Sequence, residues 1–503
     1  MNADRSVLDV LALPAAALER TNGPAMRDAI AYFVPDLIVI PGGRTATGYA
    51  TVRTVAADVP VLHPQLGRSG DRIRHLRYSS ATGVCREVPA ESTSRDAIDL
   101  LAVQTGTLLD QLHTRLESAA IKPCARGATY VFVPDLAVDW DAVALTTTLP
   151  HADDLAGIAA ARPEPVTVLA GGQPATYRHV WTLRHDGEDV IVPIVGLGAT
   201  DRDQMRFTRL PCTDHGGVGA ESVAADRFGL RALHGVGAAT ASRLRNRGCE
   251  TVRDVLDLDL AALTALPGIG RVTAERILEH AAVIDSGEVR LLADEPLVGS
   301  GADQPPLCLD IETDGLTPTI IWQIGVYDPA ADEHHAFIET ETPNDPATVL
   351  DSFLTWLLGT HPDRALLTWN GHAFDYPQLD RFVGKHLPAY HDAWTDRRRY
   401  DLYQWAVRDE RALLPGRTNR LDHVARALGY PSADTGLTGA QTAAAYRAFM
   451  RDRSAVPDWD RHRAYCEDDC RALWHVYRAI ADAPRRSVTT PGTASRQTGL
   501  ADF

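Results

Sequence analysis

From Leu307 to Thr313 the chain reads Leu-Cys-Leu-Asp-Ile-Glu-Thr, the two-residue alternation of a strand with one dry face. Leu307, Leu309 and Ile311 then face one way, and Asp310 and Glu312 the other. Residues 320–328 and 333–339 continue as strands, which predicts a three-stranded antiparallel meander. Asn344, Asp345 and Pro346 predict a helix start, with a polar cap and proline in the first turn. Residues 365–369 predict another strand, and a helix is predicted to begin near Pro377, so that Asp375 doubles as its N-cap. A helical period covers roughly 460–481 and sets Tyr465 and Asp469 on one face. Asp468 points about 100° away, which leaves Asp469 the better ligand. Cys466 and Cys470 form a second i, i+4 pair. Two cysteines without further ligands make a poor zinc site, so they read as small buried apolar residues.

The N-terminal pattern differs. Residues 36–43, 130–134 and 166–172 read as buried strands that end in turns, and 177–183 with 189–197 as a hairpin around Asp186-Gly187. A helix is predicted over 95–118, opened by Ser94. Alternating strands and helices predict an α/β domain over 1–222. No function is assigned to it: its Gly-Gly turns are not phosphate loops, and Cys212-Thr213-Asp214-His215 lacks ligand spacing.

Between the two lies an internal repeat. Leu233-His234-Gly235-Val236-Gly237 is followed by Ala241 and Leu244; about 33 residues later come Leu266-Pro267-Gly268-Ile269-Gly270, Ala274 and Ile277. Helix, Gly-x-Gly turn, helix exposes backbone N–H groups at a helix N-terminus, a ready anion site. The repeat, over 226–285, resembles tandem helix-hairpin-helix units. That resemblance implies DNA phosphate contact through Gly235, Val236, Gly237, Gly268, Ile269, Gly270 and Arg271. Residues 286–304, with Pro296, Gly299 and Gly301, read as a linker.

Net charge is -16, with acids outnumbering bases 66 to 50, which repels nucleic acid on average. Yet the only lysines are Lys122 and Lys385, so nearly every base is arginine. Such a composition resembles haloarchaeal proteomes. In molar salt the Debye length is about 3 Å, so local chemistry decides binding. Arg243, Arg245, Arg247, Arg271 and Arg276 give the hairpins a basic option, though some are expected to pair with Glu275 or Glu279. Seven scattered cysteines predict reduced thiols. The absence of a membrane-length apolar run or a leader predicts a cytoplasmic protein.

The carboxylates carry the chemistry. Two acids two apart on a strand repel unless cations sit between them. Asp310-x-Glu312, Asn370-x-x-x-Phe374-Asp375 and Tyr465-x-x-x-Asp469 together resemble the DEDD exonuclease superfamily in its tyrosine-bearing branch. Residues 305–482 look more closely like the YprB-type ribonuclease-H-like exonuclease domain, supported by Asp401-Leu402, Arg420 to Gly429 and Leu437-Thr438-Gly439-Ala440. The resemblance implies Asp310, Glu312, Asp375 and Asp469 as ligands of two Mg²⁺ or Mn²⁺ ions, and Tyr465 orienting the attacking water. It places Asn370 and Phe374 against nucleic acid, with Asp401 behind the ligands. The expected protein is therefore an α/β multidomain chain: an N-terminal α/β domain, an all-α hairpin module and a ribonuclease-H-like mixed sheet with helices over 305–483. Its expected activity is 3′–5′ exonucleolysis of DNA, with an inert DNA-binding scaffold or an RNA-directed nuclease as alternatives. The polar tail, 484–503, ends in Gln497-x-x-Leu500-x-x-Phe503, which resembles sliding-clamp-binding peptides.

Overall fold

The computed structural model describes every residue except 1–6, 43–45, 64–71, 80–81, 89–95, 122–125, 142–145, 199–203, 293, 344, 434 and 484–503. Two sheets packed face to face form the N-terminal part. One has the strand order Glu221–Ala224, Arg206–Thr213, Val7–Ala12, Leu37–Val39, Val61–Leu62. The other runs Arg178–His185, Glu188–Gly196, Val166–Ala170, Arg126–Val133, Asp96–Val103, Ile73–Ser79, Val84–Glu87. Leu8, Val10 and Leu37 of the first share a core with Leu100, Tyr130 and Phe132 of the second. The predicted hairpin forms, with Asp186 and Gly187 at φ 48° and 87°, as a two-residue turn requires.

The helix predicted over 95–118 begins as a strand. Asp96–Val103 pairs on both sides, and the helix proper is only Leu109–Glu117; Ser94 and Arg95 lie outside the described residues. Packing explains the error. Ile98, Leu100 and Ala102 enter one core while Leu101 and Val103 enter another, so both faces of the segment are dry. Such a run carries no alternation to mark it as a strand.

The middle holds α1 (Ala238–Asn246), α2 (Val252–Leu256), α3 (Leu260–Thr264) and α4 (Arg271–Ser286) around Val236, Leu244, Ile269 and Ile277. The repeat extends to backbone conformation. Gly235 and Gly268 have φ of 75° and 77°, and Gly237 and Gly270 cap α1 and α4 at φ -80° and -79°. The first hairpin opens on a short 3₁₀ turn, Gly229–Ala232, rather than a full helix.

The C-terminal part comprises β1 (Leu307–Thr313), β2 (Ile321–Asp328), β3 (Glu333–Ile338), α5 (Thr348–Thr360), β4 (Leu366–Thr368), α6 (Asp375–His386), β5 (Arg399–Asp401), α7 (Leu421–Ala427), α8 (Gly439–Arg451) and α9 (Trp459–Ala481). Its sheet order is β3-β2-β1-β4-β5. The predicted meander is antiparallel, and β4 and β5 add on in parallel. Leu307, Leu309 and Ile311 pack against α5 and α6. Two helix starts differ from expectation. α5 begins at Thr348, beyond Pro346, because the Asp345 carboxylate accepts the Ala347 N–H at 2.9 Å and holds that turn outside the helix; Asn344 is not described. α6 begins at Asp375 itself, so this residue lies in the first turn and Phe374 takes the cap position.

The segment 286–304, expected as a linker, is packed. Arg290–Leu291 pairs with Ala412–Leu413, and Val289 and Leu291 enter the C-terminal core. The Tyr477 hydroxyl also donates to Val298 O at 2.9 Å. Proline and glycine mark turns there, but the apolar residues between them decide the placement. Among the described residues no helix is long and apolar enough to cross a membrane.

Candidate active site

Alternation along β1 turns Asp310 and Glu312 toward α9, which contributes Asp469. One carboxylate oxygen from each of the three lies within 4.8 Å of the others. Asp375, buried at the start of α6, falls outside this tight group, although its charge reaches both Asp310 and Glu312. Tyr465 sits one turn before Asp469 on the same helix, and its phenol lowers the Asp469 carboxyl's rise. Residues from one strand and two helices thus converge over the sheet's central strand.

Electrostatics make the cluster costly when empty. Burial pushes the Asp310 carboxyl well above its ordinary range, and the charges of Asp469 and Glu312 add to it. Glu312 rises to about 8, through burial and then Asp469, partly offset by the Thr442 hydroxyl, which donates to it at 3.0 Å. Asp469 also rises to about 8, by burial and the nearby Asp422 and Asp468, against the bond from Tyr465. Asp375 rises to about 7, chiefly by burial. Burial and the same acids hold the Tyr465 phenol protonated far above its usual range. Bound cations would relieve all of these groups at once.

Neighbouring polar groups fix the geometry. Asp401 is buried and accepts N–H bonds from Asn370 and His372, each at 2.9 Å, and from Gln404 at 3.1 Å. It anchors a loop in which Asn370 adopts a left-handed φ of 63°. Asp468 is engaged by the Tyr430 hydroxyl at 3.0 Å, the Ser432 hydroxyl at 2.6 Å and the Ala433 N–H at 2.8 Å, so it turns away from the cluster. Two contributors were missed in the sequence: Thr442 on α8, and His334 on β3, which meets Cys466 and Cys470. Both are joined to their partners only by tertiary folding, so no local spacing announces them.

The cluster opens on a cleft of about 1330 Å³. Asp310, Asp469, Tyr465 and Asn370 line it, and so do Gly235, Val236 and Gly237 of the first hairpin. The second turn, Gly268-Ile269-Gly270 with Arg271, is not on that lining, nor is Phe374, which packs on the α5–α6 core. Val236 and Ile269 turn their side chains into the hairpin core. Each is 5% exposed, and their N–H groups bond to Leu233 O and Leu266 O inside the turn. The N–H groups that open α1 and α4 are of the kind a helix leaves free for an anion. Several arginines are already paired: Arg271 with Glu275 at 2.9 Å, Arg276 with Glu410 at 3.0 Å and Arg420 with Asp422 at 3.1 Å. Gln497, Leu500 and Phe503 lie outside the described residues.

Residues 307–481 match the RNase_H superfamily. Residues 229–282 match the SAM-like Helix-hairpin-helix tandem. The chain therefore joins a C-terminal RNase H-like part to a central helix-hairpin-helix region, preceded by α/β sheets. Among solved structures, E. coli Exonuclease I in complex with a dT13 oligonucleotide is 20% identical, over 29% of this chain and 41% of that one, with a TM-score of 0.20. A metal-free form of an E. coli ExoI–ssDNA complex is 22% identical, over 30% of this chain and 40% of that one, with a TM-score of 0.19. This chain thus spans less than half the length of those structures. No curated protein sequence matches it.

Proposed function

We propose that this chain is a metal-dependent 3′–5′ exonuclease acting on DNA in repair or replication. The observation that carries the reading is the convergence of Asp310, Glu312 and Asp469, two of which, Asp310 and Asp469, line a cleft that the first hairpin turn also lines. An all-oxygen donor set fits Mg²⁺ or Mn²⁺, and its mutual repulsion calls for cations. Asp310, Glu312 and Asp469, with Asp375 beside them, would hold two such ions, which supply a hydroxide at neutral pH and neutralise the leaving oxygen. Tyr465, kept protonated by its acidic neighbours, has a hydroxyl at the cleft wall to orient the attacking water. Gly237, the cap of α1, lines the same space, and the N–H groups at the start of that helix would take a phosphate of the incoming strand. Tyr465 in place of another proton carrier favours the tyrosine branch and the YprB-type domain.

Degradation of DNA and RNA strands labelled at either end tests this reading. Loss of label from the 3′ end of DNA with Mg²⁺, and none in EDTA or with Asp310→Ala, is expected. Cleavage that survives both would refute it. Tyr465→Phe should lower turnover with little change in substrate affinity, read as kcat against KM. The tail peptide Gln497-x-x-Leu500-x-x-Phe503 is proposed to dock on a sliding clamp, and a chain ending at Arg496 should then lose clamp binding.

A further inference from the structure

Behind the carboxylates lies a second, chemically different cluster. Cys466 and Cys470 stand one turn apart on α9, both fully buried and both free thiols. β3 brings His334 to them, and one ligand atom from each of the three residues lies within 4.8 Å of the others. Gly325 on β2 leaves the space into which they point. A Cβ at that position would lie 2.4 Å from Cys466 Sγ and 2.9 Å from His334 Nε2. The His334 side chain is 6% exposed, and its Nε2 is buried without a hydrogen-bond partner. An imidazole nitrogen left unpaired in such a place normally costs stability, so its retention points to a ligand.

The other face of the ring is arranged as in bound-metal histidines. Glu467 Oε2 lies 3.7 Å from His334 Nδ1, and Arg471 holds Glu467 at 2.7 Å. A carboxylate on the Nδ1 side favours the tautomer that leaves the Nε2 lone pair free. Oxygen for a fourth position is near: Gly325 O is 3.5 Å from Cys470 Sγ.

We propose that His334, Cys466 and Cys470 form a site for one thiophilic divalent cation, zinc foremost, separate from the all-oxygen cluster. Two sulfurs and an imidazole select zinc over magnesium by softness, whereas the carboxylates select the reverse. Binding releases both thiol protons to solvent and replaces them with metal–sulfur bonds. The ion would tie β3 to α9, the helix that carries Tyr465 and Asp469, and so serve as a structural pin.

Titrating the reduced, metal-stripped full chain with Co²⁺ tests the proposal without an activity measurement. One equivalent should give a thiolate-to-cobalt charge-transfer band, displaced by Zn²⁺ but not by excess Mg²⁺. Cys470→Ser and His334→Ala should lose or shift the band, and Asp375→Asn should keep it. Absence of the band in the unmodified chain, where folding is not in question, would overturn the site. So would a band that persists in both ligand variants, or recovery of the two thiols as a disulfide with no cobalt uptake after reduction.

Discussion

Each acid at the site is held away from its ordinary behaviour by the others. Glu312 and Asp469 ionise near 8 in the folded chain, against 4.5 and 3.8 ordinarily. Unfolding therefore releases protons, and the stability of the metal-free protein should fall as pH rises from about 4 to about 8, then level off. Thermal unfolding in EDTA across that range checks the sign. Mn²⁺ should restore several degrees at pH 8 and much less at pH 5, where the acids bind protons instead. Asp469→Asn should stabilise the metal-free protein at pH 8 and remove most of the Mn²⁺ effect. A variant less stable than the parent there would show that repulsion is not the dominant force. Thr442 gives a second test at this scale, since its hydroxyl bonds Glu312. Thr442→Val keeps the shape, and should weaken metal affinity about 10–100-fold, read by Mg²⁺ titration of cleavage.

Among the elements, the two hairpins are alike in conformation and differ in placement. Gly235 and Gly268 both occupy left-handed backbone, so alanine at either costs about 1–2 kcal/mol of strain. Only Gly235 borders the cleft. Gly235→Ala and Gly268→Ala should thus lower stability alike, while only the former weakens binding of a short single-stranded oligonucleotide, by about tenfold. Fluorescence anisotropy on both variants checks this, and equal losses would mean that the strand does not run through the cleft. Legibility followed the same line. β1 and α9 were readable because the period of their side chains is local, and β2, buried along its whole length, was readable as an apolar run bounded by turn residues. The strand Asp96–Val103 was not, since neighbours bury it on both sides and erase the alternation.

For the whole molecule, charge and assembly matter together. Acids and arginines are balanced along the cleft lining, and several of those arginines are neutralised by neighbours, among them Arg276, Arg417 and Arg420. Few counterions are then released on binding, so log affinity should fall only shallowly with log KCl, with a slope near that of about two phosphate contacts. A slope typical of about six or more contacts would contradict binding through helix-terminal N–H groups. The N-terminal sheets also help to build the cleft. Glu221 receives Arg426 and Asp28 receives Arg417, each from the C-terminal part. The chain's residue order by itself determined which side chains share a strand face or a helix face, hence the pairs Asp310–Glu312 and Tyr465–Asp469 and the two glycine turns, because those relations are set within a few bonds. Only the tertiary structure decided that Asp375 stands apart from the tight trio, that the first hairpin faces the acids, and that His334 meets two cysteines. Those distances join residues more than a hundred positions apart or on separate elements, and packing alone fixes them.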